Sequence, residues 1–343
     1  MLARSSDLRH PSGVILRTPL LVPSFSSRGF RFNRKGVSEI REVFANAAEI
    51  LTESMLVSAY DIRYGHLPKP KRFPCTPSLT LVDSGGYETG MDHDYSTIYS
   101  YDHKTEEWNS KTYQSVLDEW PPQIPAAFVN FDKESAGKTI PRQIAHAMSF
   151  LSQYPQHLHT FLIKPTRKCK GLLKNTVIVA QPYLKELARF HIIGVAEKEL
   201  GRNMLDRMET IARLRRGLNA AGVSAPIQVF GALDPLSSSL YCISGAEIFD
   251  GLTWLRFSYK EGQCVYSHNY GVLCVGIDQD DDFVRAKVFS DNYSFLRDLQ
   301  LTLRNFVVAC DFDKLDSRIL PEHHAKCMRR AMDSLRTRLG GEI

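Results

Sequence analysis

Long apolar runs, paired cysteine motifs and internal repeats are absent from this sequence. Arg, Lys, Asp or Pro interrupts every apolar stretch well before 18 residues, which excludes a membrane-spanning helix. The segment 1–13 lacks the apolar core of a secretory signal, so we expect none. The seven cysteines contain no CxxC pair, and an odd number does not suit a disulfide framework. We therefore expect a reduced protein in the cytoplasm.

A strong net charge and a dinucleotide-binding glycine motif are also missing. The 343 residues carry a net charge of +5, and 43% of them are apolar while 24% are charged. This composition is typical of a globular chain rather than a disordered one. Its length suits one large α/β domain with a small addition. No GxGxxG follows the first predicted strand, which argues against a dinucleotide-binding fold.

Short apolar segments alternate with segments of helical periodicity. Strands are predicted at 14–25, 79–86, 126–132, 159–165, 191–197, 226–232 and 246–252. Helices are predicted at 37–56, 141–153, 203–222, 234–245, 292–312 and 322–339, and short β structure at 259–277 and 280–289. The alternation predicts an α/β fold, which is either a (β/α)8 TIM barrel with one missed strand or a doubly wound sheet. We favour a barrel over 1–257, with a small β and helical appendage packed on it over 258–343.

Three of the predicted strands end in an aspartate, namely Asp83, Asp132 and Asp250. Catalytic groups of TIM barrels lie at the carboxyl ends of the strands, so these side chains would meet on one rim. An aspartate in such a place also serves as a helix cap, and we favour that alternative for any single one of them. Three on one rim instead favour acid–base or nucleophilic chemistry by carboxylates.

Around these aspartates the sequence resembles the tRNA-guanine transglycosylase superfamily. LVDSGGYE at 81–88 is similar to the family's Asp-Ser-Gly-Gly-aromatic-Gln signature, and IFDGLTWLR at 248–256 is similar to its Phe-Asp…Arg segment. The further matches are TPLLVPSF at 18–25, FVNFDKE at 128–134, HIIGVAEKELG at 191–201 and VFGALDP at 229–235. The resemblance implies a TIM-barrel enzyme that exchanges guanine in a nucleic acid for a 7-deazaguanine base.

The resemblance also implies a role for each matching residue. Asp250 would be the nucleophile that forms a covalent glycosyl-enzyme, and Asp83 would be the general acid/base. Base contacts would come from Ser84, Tyr87, Asp132, Gly194, Val195, Glu199, Phe230 and Gly231, with Tyr87 and Phe230 on the two faces of the base. Phosphate contacts would come from Arg256, Lys164, Arg167 and Lys168. No cofactor is required for this chemistry.

The sequence departs from the family pattern at several positions. Glu88 replaces the Gln that follows the aromatic residue, and Lys164 or Pro165 stands where another Gln is expected. The zinc motif Cys-x-Cys-x-x-Cys, followed by His, is missing. The weak candidates for a metal site are Cys264, His268 and Cys274. Their spacing does not suit a structural zinc, so we favour three ordinary side chains over a metal site.

Basic residues cluster in the N-terminal segment, at 164–170 and near the C-terminus. The N-terminal cluster consists of Arg4, Arg9, Arg17, Arg28, Arg31, Arg34 and Lys35. We expect these clusters to contact nucleic-acid phosphates, although solvated surface with local salt bridges is an equal alternative from charge alone. The DSGGYE and GVAEKELG variants favour the DNA-modifying branch of the superfamily, with a preQ0-like incoming base. A protein partner that separates the strands of the DNA duplex is a further alternative.

Three alternatives compete with a DNA enzyme. The first is the same guanine exchange in tRNA. The second is a non-catalytic partner subunit that only binds nucleic acid, and the presence of both Asp83 and Asp250 argues against it. The third is an unrelated barrel enzyme such as a metal-dependent hydrolase, and the absence of an HxH motif after the first strand argues against that.

Overall fold

A computed structural model of the protein describes residues 2–90, 105–169 and 172–341. Its strands are β1 (Asp7–Arg9), β2 (Ile15–Arg17), β3 (Leu20–Phe25), β4 (Ser54–Ser58), β5 (Leu79–Asp83), β6 (Ala126–Val129), β7 (Leu158–Leu162), β8 (Ile192–Ala196), β9 (Ile227–Phe230), β10 (Ile248–Gly251), β11 (Ser258–Lys260) and β12 (Gln263–Val265). Its α-helices are α1 (Ile40–Ala47), α2 (Ala59–Arg63), α3 (Gly86–Thr89), α4 (Ser110–Asp118), α5 (Ile140–Leu151), α6 (Leu173–Ala180), α7 (Glu197–Leu200), α8 (Met204–Ala220), α9 (Pro235–Ile243), α10 (Thr253–Arg256), α11 (Ser267–Tyr270), α12 (Asp281–Ala309) and α13 (Glu322–Arg338).

Strands β3 to β10 form a closed, parallel eight-stranded barrel in chain order, with β10 pairing back onto β3. Helices follow the strands and cover the outside of the barrel, as a (β/α)8 TIM barrel requires. The predicted α/β class and barrel are therefore confirmed, and the doubly wound sheet is excluded. Most barrel strands are buried along their whole length, which explains why they read as short continuous apolar runs.

The missed strand is β4, which lies inside the segment predicted as the helix 37–56. The helix α1 ends at Ala47 and is followed by a 3₁₀ turn, Ala48–Ile50, before β4 begins. All five residues of β4 are buried between β3 and β5. A strand that is buried on both faces shows no alternation of apolar and polar residues. The helical spacing of the residues before β4 therefore hid the point where the helix ends and the strand begins.

The N-terminal hairpin closes the end of the barrel that lies opposite the carboxyl ends of the strands. β1 pairs antiparallel with β2, and Leu8 and Leu16 pack into the apolar cluster at the amino-terminal ends of the barrel strands. Arg4 forms an ion pair there with Glu247, which immediately precedes β10. The segment 4–17 thus lies at the end of the barrel away from the carboxyl ends of the strands, and its contact with phosphates stays a prediction.

The segment after residue 257 contains less β structure than predicted. β11 and β12 form a short hairpin, but 280–289, predicted as β, lies mostly in the long helix α12. Asp280 caps this helix by accepting a hydrogen bond from the amide of Asp282, so a start signal was present in the sequence. Along its length α12 buries side chains against β3 and α9, in the position of the eighth barrel helix. The division at 257 stays a prediction.

In the described ranges, no helix is both long enough and apolar enough to cross a membrane.

Candidate active site

A cavity of about 340 Å³ opens among the carboxyl ends of the barrel strands, where TIM-barrel active sites lie. The predicted site residues that line it are Asp83, Tyr87, Asp132, Lys164, Glu199, Phe230, Gly231 and Asp250. Residues from six of the strands and their following loops thus meet in one space that suits a small flat ligand.

Asp250 lies on β10 at the floor of the cavity and is only 4% exposed. Gln228 donates a hydrogen bond from Nε2 to Oδ2 of Asp250 at 2.7 Å. Burial raises the pKa of Asp250 to about 7, while Gln228, the Gly231 amide and the Ser24 hydroxyl act in the opposite direction. Because these donors favour the carboxylate, a substantial fraction of Asp250 is ionised at neutral pH.

Asp83 ends β5 on the opposite side of the same cavity. Burial raises its pKa well above the ordinary range, and the neighbouring carboxyls of Glu88, Asp132 and Asp250 raise it further. The Gly85 amide, which donates to Oδ2 at 3.1 Å, lowers it only in part. These influences favour the protonated form of Asp83. Gln228 and the other donors around Asp250 favour its carboxylate, so the two carboxyls stand in different surroundings within one cavity, as a proton donor and a nucleophile require.

Asp132 is held against the Asp83 side of the cavity by its neighbours. Ser84 donates a hydrogen bond from its hydroxyl to Oδ1 of Asp132 at 2.9 Å. Gly86 lies so close that a Cβ there would stand 2.4 Å from the same oxygen. Ser84 does not itself line the cavity. Ser84 instead orients Asp132, and its implied base contact stays a prediction.

The Lys164 side chain lines the cavity. Its Nζ is 2.5 Å from Oε1 of Glu199 and 3.6 Å from Oδ2 of Asp132. Burial alone would lower the pKa of Lys164, but the two carboxylates outweigh it and the pKa is raised. Lys164 is thus already paired with two partly buried carboxylates, and its implied phosphate contact stays a prediction.

Tyr87, in the segment after β5, and Phe230, at the end of β9, both line the cavity and offer aromatic surface to a flat ligand. The Phe230 ring also packs on Gly194, where a Cβ would lie 2.7 Å from ring atom Cε2. The wall contributed by β8 begins only at Ala196. Gly194 and Val195 therefore do not line the cavity, because Phe230 covers Gly194 and the Val195 side chain is buried in the main core; their implied backbone contacts with the base stay a prediction.

Sequence reasoning missed Gln228 and Ser24 beside Asp250, and it noted Glu88 only as a departure from the family pattern. Gln228 is a buried polar residue in an apolar strand, two positions before Phe230 and so on the same face of β9. Glu88 lines the cavity, is 1% exposed and accepts a hydrogen bond from Ser26 at 2.5 Å. The signal available in the sequence was that Glu88 stands where the family pattern has Gln.

Several basic side chains lie near the mouth of the cavity. Lys133 and Lys198 line it, and Arg167 is exposed in the loop that follows β7. Arg256 is partly buried and donates to the Arg28 carbonyl at 2.9 Å, so its guanidinium is engaged within the protein. Phosphate contacts at Arg167 and Arg256 stay predictions. The side chain of Lys168, and the whole of residues 170 and 171, fall outside the described residues.

The three weak metal candidates do not fit a zinc site. The Cys264 thiol donates to Oδ2 of Asp234 at 3.0 Å, whereas His268 and Cys274 are exposed on separate short elements. Across the ranges that the structure describes, no group of three His, Cys, Asp or Glu residues has an arrangement suited to a metal ion.

No protein-family model matches this chain, and no curated protein matches it either.

Proposed function

We propose that the protein is a base-exchange transglycosylase that replaces guanine in DNA with a 7-deazaguanine base through a covalent Asp250–glycosyl intermediate. The observation that carries the proposal is that the carboxyls of Asp83 and Asp250 line one cavity together with Tyr87 and Phe230, with Gln228 donating a hydrogen bond to Asp250 and neighbouring carboxyls raising the pKa of Asp83. The resemblance in sequence supplies the identity of the exchanged bases.

In the first half of the reaction, the Asp250 carboxylate attacks C1′ of the bound nucleotide. A C1′–O bond forms while the C1′–N9 bond breaks, and the bonding electron pair leaves with guanine. Protonated Asp83 neutralises the departing base by giving up its proton. The hydrogen bond from Gln228 holds the attacking carboxylate in place.

In the second half, the newly ionised Asp83 takes the N9 proton of the incoming base. N9 then attacks C1′, and the Asp250 carboxylate leaves with the electron pair of the C1′–O bond. Two displacements at C1′ retain its configuration, and the proton on Asp83 is restored at the end of the cycle. The raised pKa of Asp83 suits both tasks because the residue begins and ends the cycle protonated.

The polar groups of the cavity suit the edge of guanine. Guanine presents two N–H donors beside a carbonyl acceptor, and a flipped base is read at this edge. Asp132 offers acceptor oxygens, and Lys164 offers a donor 3.6 Å from one of them. A cavity of about 340 Å³ holds one nucleotide, so the target must leave its stack to reach Asp250.

The experiment that tests the proposal follows labelled guanine and labelled 7-cyano-7-deazaguanine into duplex DNA, single-stranded DNA and bulk tRNA in parallel. We expect label in DNA. Label in tRNA alone would reassign the nucleic acid, and label only after addition of a second protein would identify a duplex-opening partner. No label in any arm would contradict an enzyme and favour the non-catalytic subunit.

Asp250→Asn is the matched test of mechanism. We expect exchange to fall by at least ~10³-fold, with loss of the covalent adduct on denaturing gels, because an amide cannot act as the nucleophile. Binding of nucleic acid should remain. Asp278→Asn is the control, since Asp278 is exposed and contacts only Gln279 among the hydrogen bonds of the described chain. Unchanged exchange in Asp250→Asn would refute the nucleophile.

A further inference from the structure

Arg28 lies behind Tyr87 as seen from the cavity. It follows β3 and is only 4% exposed, and its guanidinium carbon stands 4.8 Å from the centre of the Tyr87 ring. Tyr87 lines the cavity but Arg28 does not. The cation therefore covers the outer side of the ring and leaves the inner side to a ligand, which is the arrangement of a cation–π contact.

The same guanidinium also fixes the backbone that carries Tyr87. Nη1 of Arg28 donates hydrogen bonds to the carbonyl oxygens of Tyr87 and Gly90, at the end of the short helix α3. A helix of one turn has little stability of its own, so its position depends on such contacts. Arg28 thus holds both the ring and the main chain of this cavity wall.

Arg256, which follows β10 in the chain, also contacts Tyr87. Its Nη2 donates to the carbonyl oxygen of Arg28 at 2.9 Å and to the Tyr87 hydroxyl at 3.2 Å. Gly29 permits this approach, because a Cβ there would lie 3.1 Å from the same nitrogen. Tyr87 is therefore held at its ring face, its hydroxyl and its backbone by residues that follow β3 and β10.

We propose that Arg28 and Arg256 are positioning residues that fix Tyr87 as one wall of a slot for a planar heterocyclic base. We call Arg28, Tyr87 and Arg256 the clamp. The inference rests on the proposed function in that the exchanged base is the ligand of the slot. Because Tyr87 is already fixed before the ligand binds, binding loses little side-chain conformational entropy. This raises the affinity for a flat ring.

The test measures guanine binding by calorimetry, without nucleic acid, together with base exchange. For Arg28→Lys we expect about tenfold weaker guanine binding and a matching rise in the KM for the base, with kcat nearly unchanged. Lysine keeps the charge but loses the planar fork that reaches two carbonyls and the ring. Arg41→Lys is the control, because Arg41 is exposed and donates to the Gly65 carbonyl away from the cavity.

A double-mutant cycle separates positioning from general stability. If Arg28 acts through Tyr87, then Arg28→Lys should weaken guanine binding in the wild-type background and have no further effect in a Tyr87→Leu background. Equal weakening in both backgrounds, or none in the first, would overturn the clamp. A fall in kcat and in melting temperature together would also overturn it, because that pattern reports damage to the fold.

The outcomes also distinguish the clamp from the proposed function. Guanine binding that depends on Arg28 through Tyr87, without any exchange, would support the clamp and contradict the transglycosylase. Base exchange by Arg28→Lys with an unchanged KM for the base would support the transglycosylase and contradict the clamp. A wild-type chain that binds no guanine would overturn the clamp as proposed.

Discussion

Gly86→Ala tests whether the position of Asp132 matters for the base. The added Cβ would stand 2.4 Å from Oδ1 and 2.8 Å from Oδ2 of Asp132. Since ordinary contacts begin near 3.5 Å, the carboxylate must retreat by about 1 Å. Gly86 does not have a positive φ and begins the helix α3, so alanine suits the backbone there and favours the helix by up to about 1 kcal/mol. The cost therefore falls on the carboxylate and not on the fold.

A displacement of about 1 Å in a positioned catalytic group lowers rate by roughly 10²-fold. We expect a loss of this order in the kcat/KM for guanine exchange, with a melting temperature within a few degrees of wild type. Ser84→Ala is the milder companion, because it removes the 2.9 Å hydrogen bond to Asp132 without a steric push. Its loss should be about tenfold. Wild-type kinetics in Gly86→Ala would refute the idea that Asp132 reads the base.

Three further predictions concern charge in the cavity. Glu88→Gln removes a carboxyl that raises the pKa of Asp83, so the alkaline limb of the pH–rate profile should move to lower pH. The acid limb near pH 7, which Asp250 sets, should stay in place. An alkaline limb that does not move would contradict this prediction. Lys164→Gln leaves the partly buried carboxylates of Glu199 and Asp132 without their cation. We expect the free energy of unfolding in urea at pH 7 to fall by roughly 3 kcal/mol, against little loss for the more exposed Lys174→Gln. Asp250 binds its proton more tightly in the folded than in the unfolded chain, so it should lower wild-type stability by a few kcal/mol as pH rises from about 4 to 7. Thermal melts at a series of pH values should show a smaller fall for Asp250→Asn than for wild type, and an equal fall would contradict this.

The fold was predictable because its strands are short, buried on both faces and bounded by turn residues. The sequence errors come from two places where local pattern and tertiary context disagree. β4 was read as the end of a helix because a strand buried on both sides carries no alternation. The start of α12 was read as β because its apolar residues alternate with charged ones, although Asp280 marks a helix cap.

The aspartates of the candidate site were predictable because a barrel brings the ends of its strands together. The partners of those aspartates were not, since their effect depends on side-chain direction. Lys164 turns into the cavity and pairs with Glu199, which its place in a basic segment could not indicate. Gln228 lies one strand away from Asp250, and only the pairing of β9 with β10 brings them together. Gly194 is covered by a ring from the next strand.

Two departures from the family pattern place ionisable side chains in the cavity. Glu88 stands where the resemblance leads us to expect Gln, and Lys164 is one of the two residues at a second position where Gln is expected. The Glu88 carboxyl raises the pKa of Asp83 and so favours a proton there. The Lys164 ammonium lies 3.6 Å from Oδ2 of Asp132 and places a donor where we propose that the base edge is read. Base binding alone would use the Lys164 donor but would not need a proton on Asp83, and this argues for acid–base chemistry in the cavity.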